Sequence, residues 1–158
     1  MALGLDRKAF VDILSEGQGE IGGVMQPPPD GLWGMPPDLL QKLPSYGPDV
    51  QEKRVKGRQI MERLGYGPSN RLRIKVSARD IPISRDPAVI LIDQLRAVYI
   101  DGELETIDTM NWFPRVFRRD FTVGLNGQAG GPDPDPILEA FYGCGFEAEL
   151  GRLLQSRD

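Results

Sequence analysis

The sequence predicts an α/β fold built on a mostly parallel βαβαβ sheet, flanked by helices and preceded by a long Pro/Gly-rich loop. Three observations carry this. From Arg71 to Asn126 the pattern runs strand, helix, strand, helix, strand, with each helix long enough to serve as a crossover. "RLRIKVSA" alternates cleanly, Leu72, Ile74 and Val76 to one side and Arg71, Arg73 and Lys75 to the other. Before it, "GQGEIGGVMQPPPDGLWGMPPDLLQKLPSYGPD" holds too many prolines and glycines for a continuous helix or a central strand. At 158 residues, 40% hydrophobic and 27% charged, the chain suits one compact domain and is short for two.

The elements follow in order. "LDRKAFVDILSEG" predicts a helix with Asp6 at the N-cap, an apolar stripe of Ala9, Phe10, Ile13 and Leu14, and Gly17 at the stop. The irregular region comes next; a loop of that length wraps a surface or carries function, and Trp33 is its prominent residue. Trp33 either pins the loop to the core or touches a ligand or a second domain. "DVQEKRVKGRQIMERLGYG" predicts a second helix with Val50, Ile60, Met61 and Leu64 inward and Gly65 at its end. Gly57 weakens its middle by about 1 kcal/mol relative to alanine.

After the first strand, Asp86-Pro87 is expected to cap and start a helix. It runs through "AVILIDQLRAVYIDG" to Gly102, burying Ile92, Leu95, Val98 and Tyr99. "ELETID" is the second strand. "NWFPRVFRRD" is a brief helix with Pro114 in its first turn, and "FTVGLN" is a third strand alternating Phe121, Val123 and Leu125. The chain closes with a helix over "PILEAFYG" and a helical tail, "FEAELGRLLQS".

Composition excludes several functions. The net charge of −4 and the absence of a dense basic run give no support to a nucleic-acid partner; Arg115, Arg118 and Arg119 read as a solvated helix face. With no histidine and the single Cys144, there is no histidine-based triad, no internal disulfide and no thiolate metal cluster. No apolar run approaches a membrane span, and no signal peptide precedes Leu3. "GLNGQAGG" runs into Pro132 instead of opening a helix, so it is no dinucleotide fingerprint. Asp133 and Asp135 have the spacing of a pair for a hard cation, but Asp135-Pro136 suits the cap of the last helix. Asp133 pins the loop or faces a ligand. Glu103, Glu105 and Asp108 suggest an acid–base pair, yet a solvated strand face accounts for the two glutamates better. No nucleophile, base and orienting group assemble, so the chain reads as a binding protein, not an enzyme, with no cofactor. The alternative is a self-contained cytosolic α/β domain acting as a small enzyme or protein-interaction module.

In parallel sheets, ligands sit outside the carboxyl ends of the strands. Those ends are Ser77-Ala78-Arg79-Asp80, Asp108-Thr109-Met110-Asn111 and Asn126-Gly127-Gln128-Ala129. The expected ligand-binding residues are Asn126, Gln128, Gly130, Gly131, Asp133 and Trp33.

"ALGLDRKAFVDILSEGQGEIGGVMQPPPDGLWG", "IMERLGYG", "IDQLRAVYIDGELETIDTMNWFPRVFRRDF" and "GGPDPDPIL" occur in that order. Together they resemble the second lobe of family 5 bacterial solute-binding proteins, the oligopeptide, dipeptide, nickel and glycoside receptors of ABC importers, over about residues 1–143. The resemblance implies a three-layer periplasmic-binding-protein-like lobe, residues 1–158 forming lobe II of a two-lobe receptor and 144–158 an atypical helical tail. It also implies a periplasmic location, a peptide-like or other small-molecule ligand, a missing lobe I, and an ABC permease as partner. In peptide-binding members an aspartate before the Pro-Asp-Pro run grips the peptide's α-amine; Gly130 stands there, and Gln128 stands where an aromatic is common. The resemblance therefore implies a ligand other than a simple free peptide held by its amino terminus, because a buried amine without its carboxylate is costly.

Overall fold

The computed structural model describes residues 1–22 and 34–126. It contains α1 (Arg7–Ser15), α2 (Pro37–Leu40), α3 (Val50–Arg63), β1 (Leu72–Arg79), α4 (Pro82–Leu95), β2 (Ile100–Ile107), α5 (Thr109–Phe117) and β3 (Val123–Leu125). The expected last helix and the 144–158 tail lie outside the described residues.

The sheet has the order β2-β1-β3, and both pairings are parallel. Leu72 to Arg79 pair with Ile100 to Ile107, and Val76 to Ala78 with Val123 to Leu125. The first crossover moves one way along the sheet and the second returns past β1, so two right-handed connections put α4 and α5 on opposite faces. The side chains agree. Val76 and Ala78, both 0% exposed, pack with Ala88 of α4 and with Leu91, Ile92, Leu104, Val123 and Leu125. On the other face Ile107, Trp112 and Val116 form a separate cluster beneath α5. This is an α/β unit, its small parallel sheet flanked by helices.

Several element boundaries differ from expectation. α4 begins at Pro82, not at Asp86-Pro87. A proline forces the residue before it into extended backbone, and Ile81 (φ −139, ψ 147) obeys, giving the helix its start. Pro87 therefore lies inside α4, where it deprives the carbonyl of Ile83 of a donor; Ile83 is exposed, so water replaces it. Pro114 is likewise interior to α5, opposite exposed Met110. α4 also stops early. A 3₁₀ turn over Arg96–Val98 and a left-handed Tyr99 (φ 61) turn the chain into β2, which takes in Gly102 as a strand residue. A Cβ at Gly102 would stand 2.8 Å from Cγ1 of Ile92, so glycine there lets α4 lie against the strand.

The inward faces of α1 and α3 also differ. Ile13 and Leu14 are exposed, and Ala9 and Phe10 half-buried. α1 is held instead by its start: the Asp6 amide donates to Oε1 of Gln94 (2.8 Å), and Nε2 of Gln94 donates back to the Asp6 carbonyl (3.1 Å). α3 turns Lys53, Gly57 and Met61 inward and leaves Ile60 and Leu64 exposed. Small Gly57 is what brings the 3₁₀ turn close, since its Cβ would lie 2.8 Å from Cγ1 of Val98. Gly57→Ala is accordingly expected to destabilise the fold by about 1–2 kcal/mol, overpacking outweighing the gain in helix propensity. A urea midpoint that rises in this variant would show that the turn moves aside freely.

Candidate functional site at the strand tips

The carboxyl ends of β1, β2 and β3 meet the start of α5. Asp108 caps that helix: its Oδ1 accepts from the amides of Met110 (3.0 Å) and Asn111 (3.1 Å), and its Oδ2 from Nδ2 of Asn111 (2.6 Å). These bonds, the Asn111 side chain first, hold its carboxyl below the usual aspartate range. With the cap fixed, Trp112 enters the core at 1% exposure and donates its indole N–H to Oδ1 of Asn126 at 3.2 Å. Asn126 is thus positioned from α5, with its amide nitrogen left to donate elsewhere.

Arg79 ends β1. Among the described residues its Nε is buried with no hydrogen-bond partner, and its guanidinium carbon lies 5.7 Å from the centroid of the Phe113 ring. A buried, unpaired guanidinium N–H is uncommon and marks a donor waiting for an acceptor. Next to it, the Asp80 amide donates to the Ile107 carbonyl (2.8 Å), extending the ladder to the rim.

Two residues deeper on the same face, in register with Ser77, Glu105 gathers three partners and is not the solvated carboxylate expected. Ser77 Oγ donates to its Oε2 at 2.8 Å, Arg115 Nη2 lies at 3.2 Å, and Lys75 Nζ at 3.6 Å from Oε1. The Ser77 hydrogen bond, with Arg115 assisting, holds its carboxyl below the ordinary value of 4.5. A depressed folded-state value means that the contribution is complete above that ordinary value and is lost as pH falls through the depressed one. Glu105→Gln should therefore cost stability at neutral pH and flatten the acid limb of unfolding midpoint against pH. An acid limb identical to the parent's would remove Glu105 as its source. Glu103, by contrast, is exposed as expected.

Of the six expected ligand residues, Asn126 stands at this rim; Trp33, Gln128, Gly130, Gly131 and Asp133 lie outside the described residues. Arg79 lies in a strand-end stretch where a ligand is expected, but it, Trp112 and Phe113 are not among the six expected ligand residues. Arg79 continues the outward series Arg71, Arg73, Lys75, and its difference arises only because α5 covers the end of that face. Among the described residues no cluster of His, Cys, Asp or Glu could hold a metal ion, and no helix is long and apolar enough to cross a membrane.

No family model and no curated protein matches the sequence. Solved structures do resemble it. Haemophilus influenzae OppA in complex with RPPGFSPFR aligns at TM-score 0.64 and 17% identity, over 80% of this chain and 25% of that one. Helicobacter pylori DppA, an ABC transporter-associated periplasmic binding protein in complex with the peptide STSA, gives 0.62 and 18%, over 88% and 25%. The Escherichia coli murein tripeptide binding protein MppA gives 0.67 and 15%, over 89% and 26%. The chain spans about a quarter of the length of these proteins. At such identities the likeness establishes the fold alone, an α/β architecture that matches one portion of each of these chains.

Proposed function

We propose that the chain is the second lobe of an extracytoplasmic substrate-binding protein of an ABC importer, capturing a peptide-like or other small solute without chemical turnover. Arg79 carries the reading: a buried, unpartnered donor on an aromatic ring, at the strand tips where parallel sheets receive ligands. The architecture it shares with OppA, DppA and MppA supports the same reading. In this proposal residues 1–158 form one lobe, with 144–158 as an atypical tail. Asn126, Gln128, Gly130, Gly131, Asp133 and Trp33 face the ligand with Arg79. A first lobe closes over it, and a membrane permease receives the closed form.

Glycine at Gly130 in place of an amine-gripping carboxylate favours a ligand other than a free peptide. The test is a thermal-shift screen of the two-lobed protein against peptides, sugars, opine-like compounds and metal chelates. A saturable, unconverted ligand that binds far more weakly to the 158-residue chain alone supports the reading, because closure of two lobes buries most of a ligand. Conversion of the hit to product, or equal affinity for the lobe alone, would overturn it. Tight binding of unmodified di- or tripeptides would overturn only the exclusion of free peptides.

A further inference from the structure

A cavity of about 710 Å³ opens between the start of α1, the chain leading into α3 and the first turns of α3. It lies away from the strand tips. α4 leaves the carboxyl end of β1 and finishes beside the amino end of β2, and it is Gln94 near that finish that clasps Asp6 at the cavity edge. Ile21, Met35, Leu40 and Val50 give it apolar walls, and Lys53 of α3 lines it too.

Lys53 is 7% exposed, and no hydrogen bond or ion pair engages its ammonium among the described residues. The neighbouring charges are committed elsewhere. Asp6 caps α1 through the Ala9 amide, and Asp49 caps α3 through the Glu52 amide. Arg7 stacks on Tyr46 at 3.9 Å and donates to the Ser45 carbonyl, Arg54 donates to the Gly4 carbonyl, and Lys8 pairs with Asp12. Burial is the chief reason that the Lys53 pKa is lowered.

We propose that this cavity is a binding site for a small amphiphilic carboxylate, its head on Lys53 and its apolar body against Ile21, Met35, Leu40 and Val50. The volume suits a compact organic ligand. Arg7, Lys8 and Lys53 against Asp6 and Glu20 leave one net positive charge at the lining, which matches a monoanion and not a polyanion such as phosphate. A lysine that is 7% exposed and whose ammonium has no partner among the described residues gains from an anion that reaches it through the cavity and brings its own apolar cover. The site is separate from the strand tips, so the proposal stands or falls independently of the transport reading.

The experiment titrates octanoate into the 158-residue chain by calorimetry and thermal shift, with octanol and inorganic phosphate as matched probes. Expected are saturable one-to-one octanoate binding, no saturable response to either of the others, and at least about a tenfold loss of octanoate affinity in Lys53→Met. Lys53→Gln should show the same loss, so a folding defect in one substitution leaves the test intact. Lys56→Gln, on the exposed side of α3 and outside the lining, should bind as the parent does. Absence of saturable octanoate binding, equal binding of octanol, or unchanged affinity in both Lys53 variants overturns the proposal.

Discussion

Replacing Trp112 with alanine is expected to lower the free energy of unfolding by about 3–5 kcal/mol, the range for truncating a large buried aromatic. Trp112 is 1% exposed and is the largest fully buried side chain among the described residues, packed with Ile107 and Val116 between α5 and the sheet. The loss has two parts. A cavity opens beneath α5, and Oδ1 of Asn126 loses the indole donor that positions it at the rim. Trp112→Phe separates them: it keeps most of the volume, removes the N–H, and is expected to cost about 1–2 kcal/mol. Urea unfolding of both variants measures the difference. If Trp112→Phe matches Trp112→Ala, packing is not the main contribution.

The same residue shows how far the sequence could be read. Alternation in "RLRIKVSA" and the two helical spacings were enough for a parallel sheet, because each reports a period that burial on one face imposes. Boundaries were harder, since two prolines compete for the start of α4. Pro82 prevails because Ile81 is already extended, whereas Pro87 is tolerated where the orphaned carbonyl can be hydrated. A different cause moves the start of β2, because a 3₁₀ turn and a left-handed Tyr99 are not encoded by hydrophobic period. Inward faces were misjudged where a small residue made the contact: Gly57 and Gly102 carry no apolar signal, yet both mark the closest approaches of helix to neighbour.

The site was legible by position and not by residue. Parallel strands gather their carboxyl ends whatever the side chains are, which is why Asn126 is expected at the rim where it stands. The strand pattern reads Glu105 as solvated and gives Arg79 a place at the strand end but no role, and only the packing of α5 across that face distinguishes them. Such distinctions are tertiary. Ser77 and Glu105 come from different strands, Arg115 from a helix, and their spacing in the chain gives no hint that they meet.

Arg79→Met is expected to weaken binding of whatever solute the thermal-shift screen identifies by at least about 100-fold, or about 2.8 kcal/mol at 1.4 kcal/mol per decade. Methionine retains an apolar stem for contact with Phe113 and removes the charged fork. Stability should hold or rise slightly, because the substitution deletes a buried N–H that has no acceptor in the described structure. That opposition of signs is the decisive feature: a merely structural arginine would lose stability and leave affinity nearly intact. Arg79→Lys should recover only part of the binding, since an ammonium offers a point charge in place of a planar fork and stacks less well on the ring. Affinity within threefold of the parent in Arg79→Met, with a lowered urea midpoint, would remove Arg79 from the site and leave the strand tips without their anchoring cation.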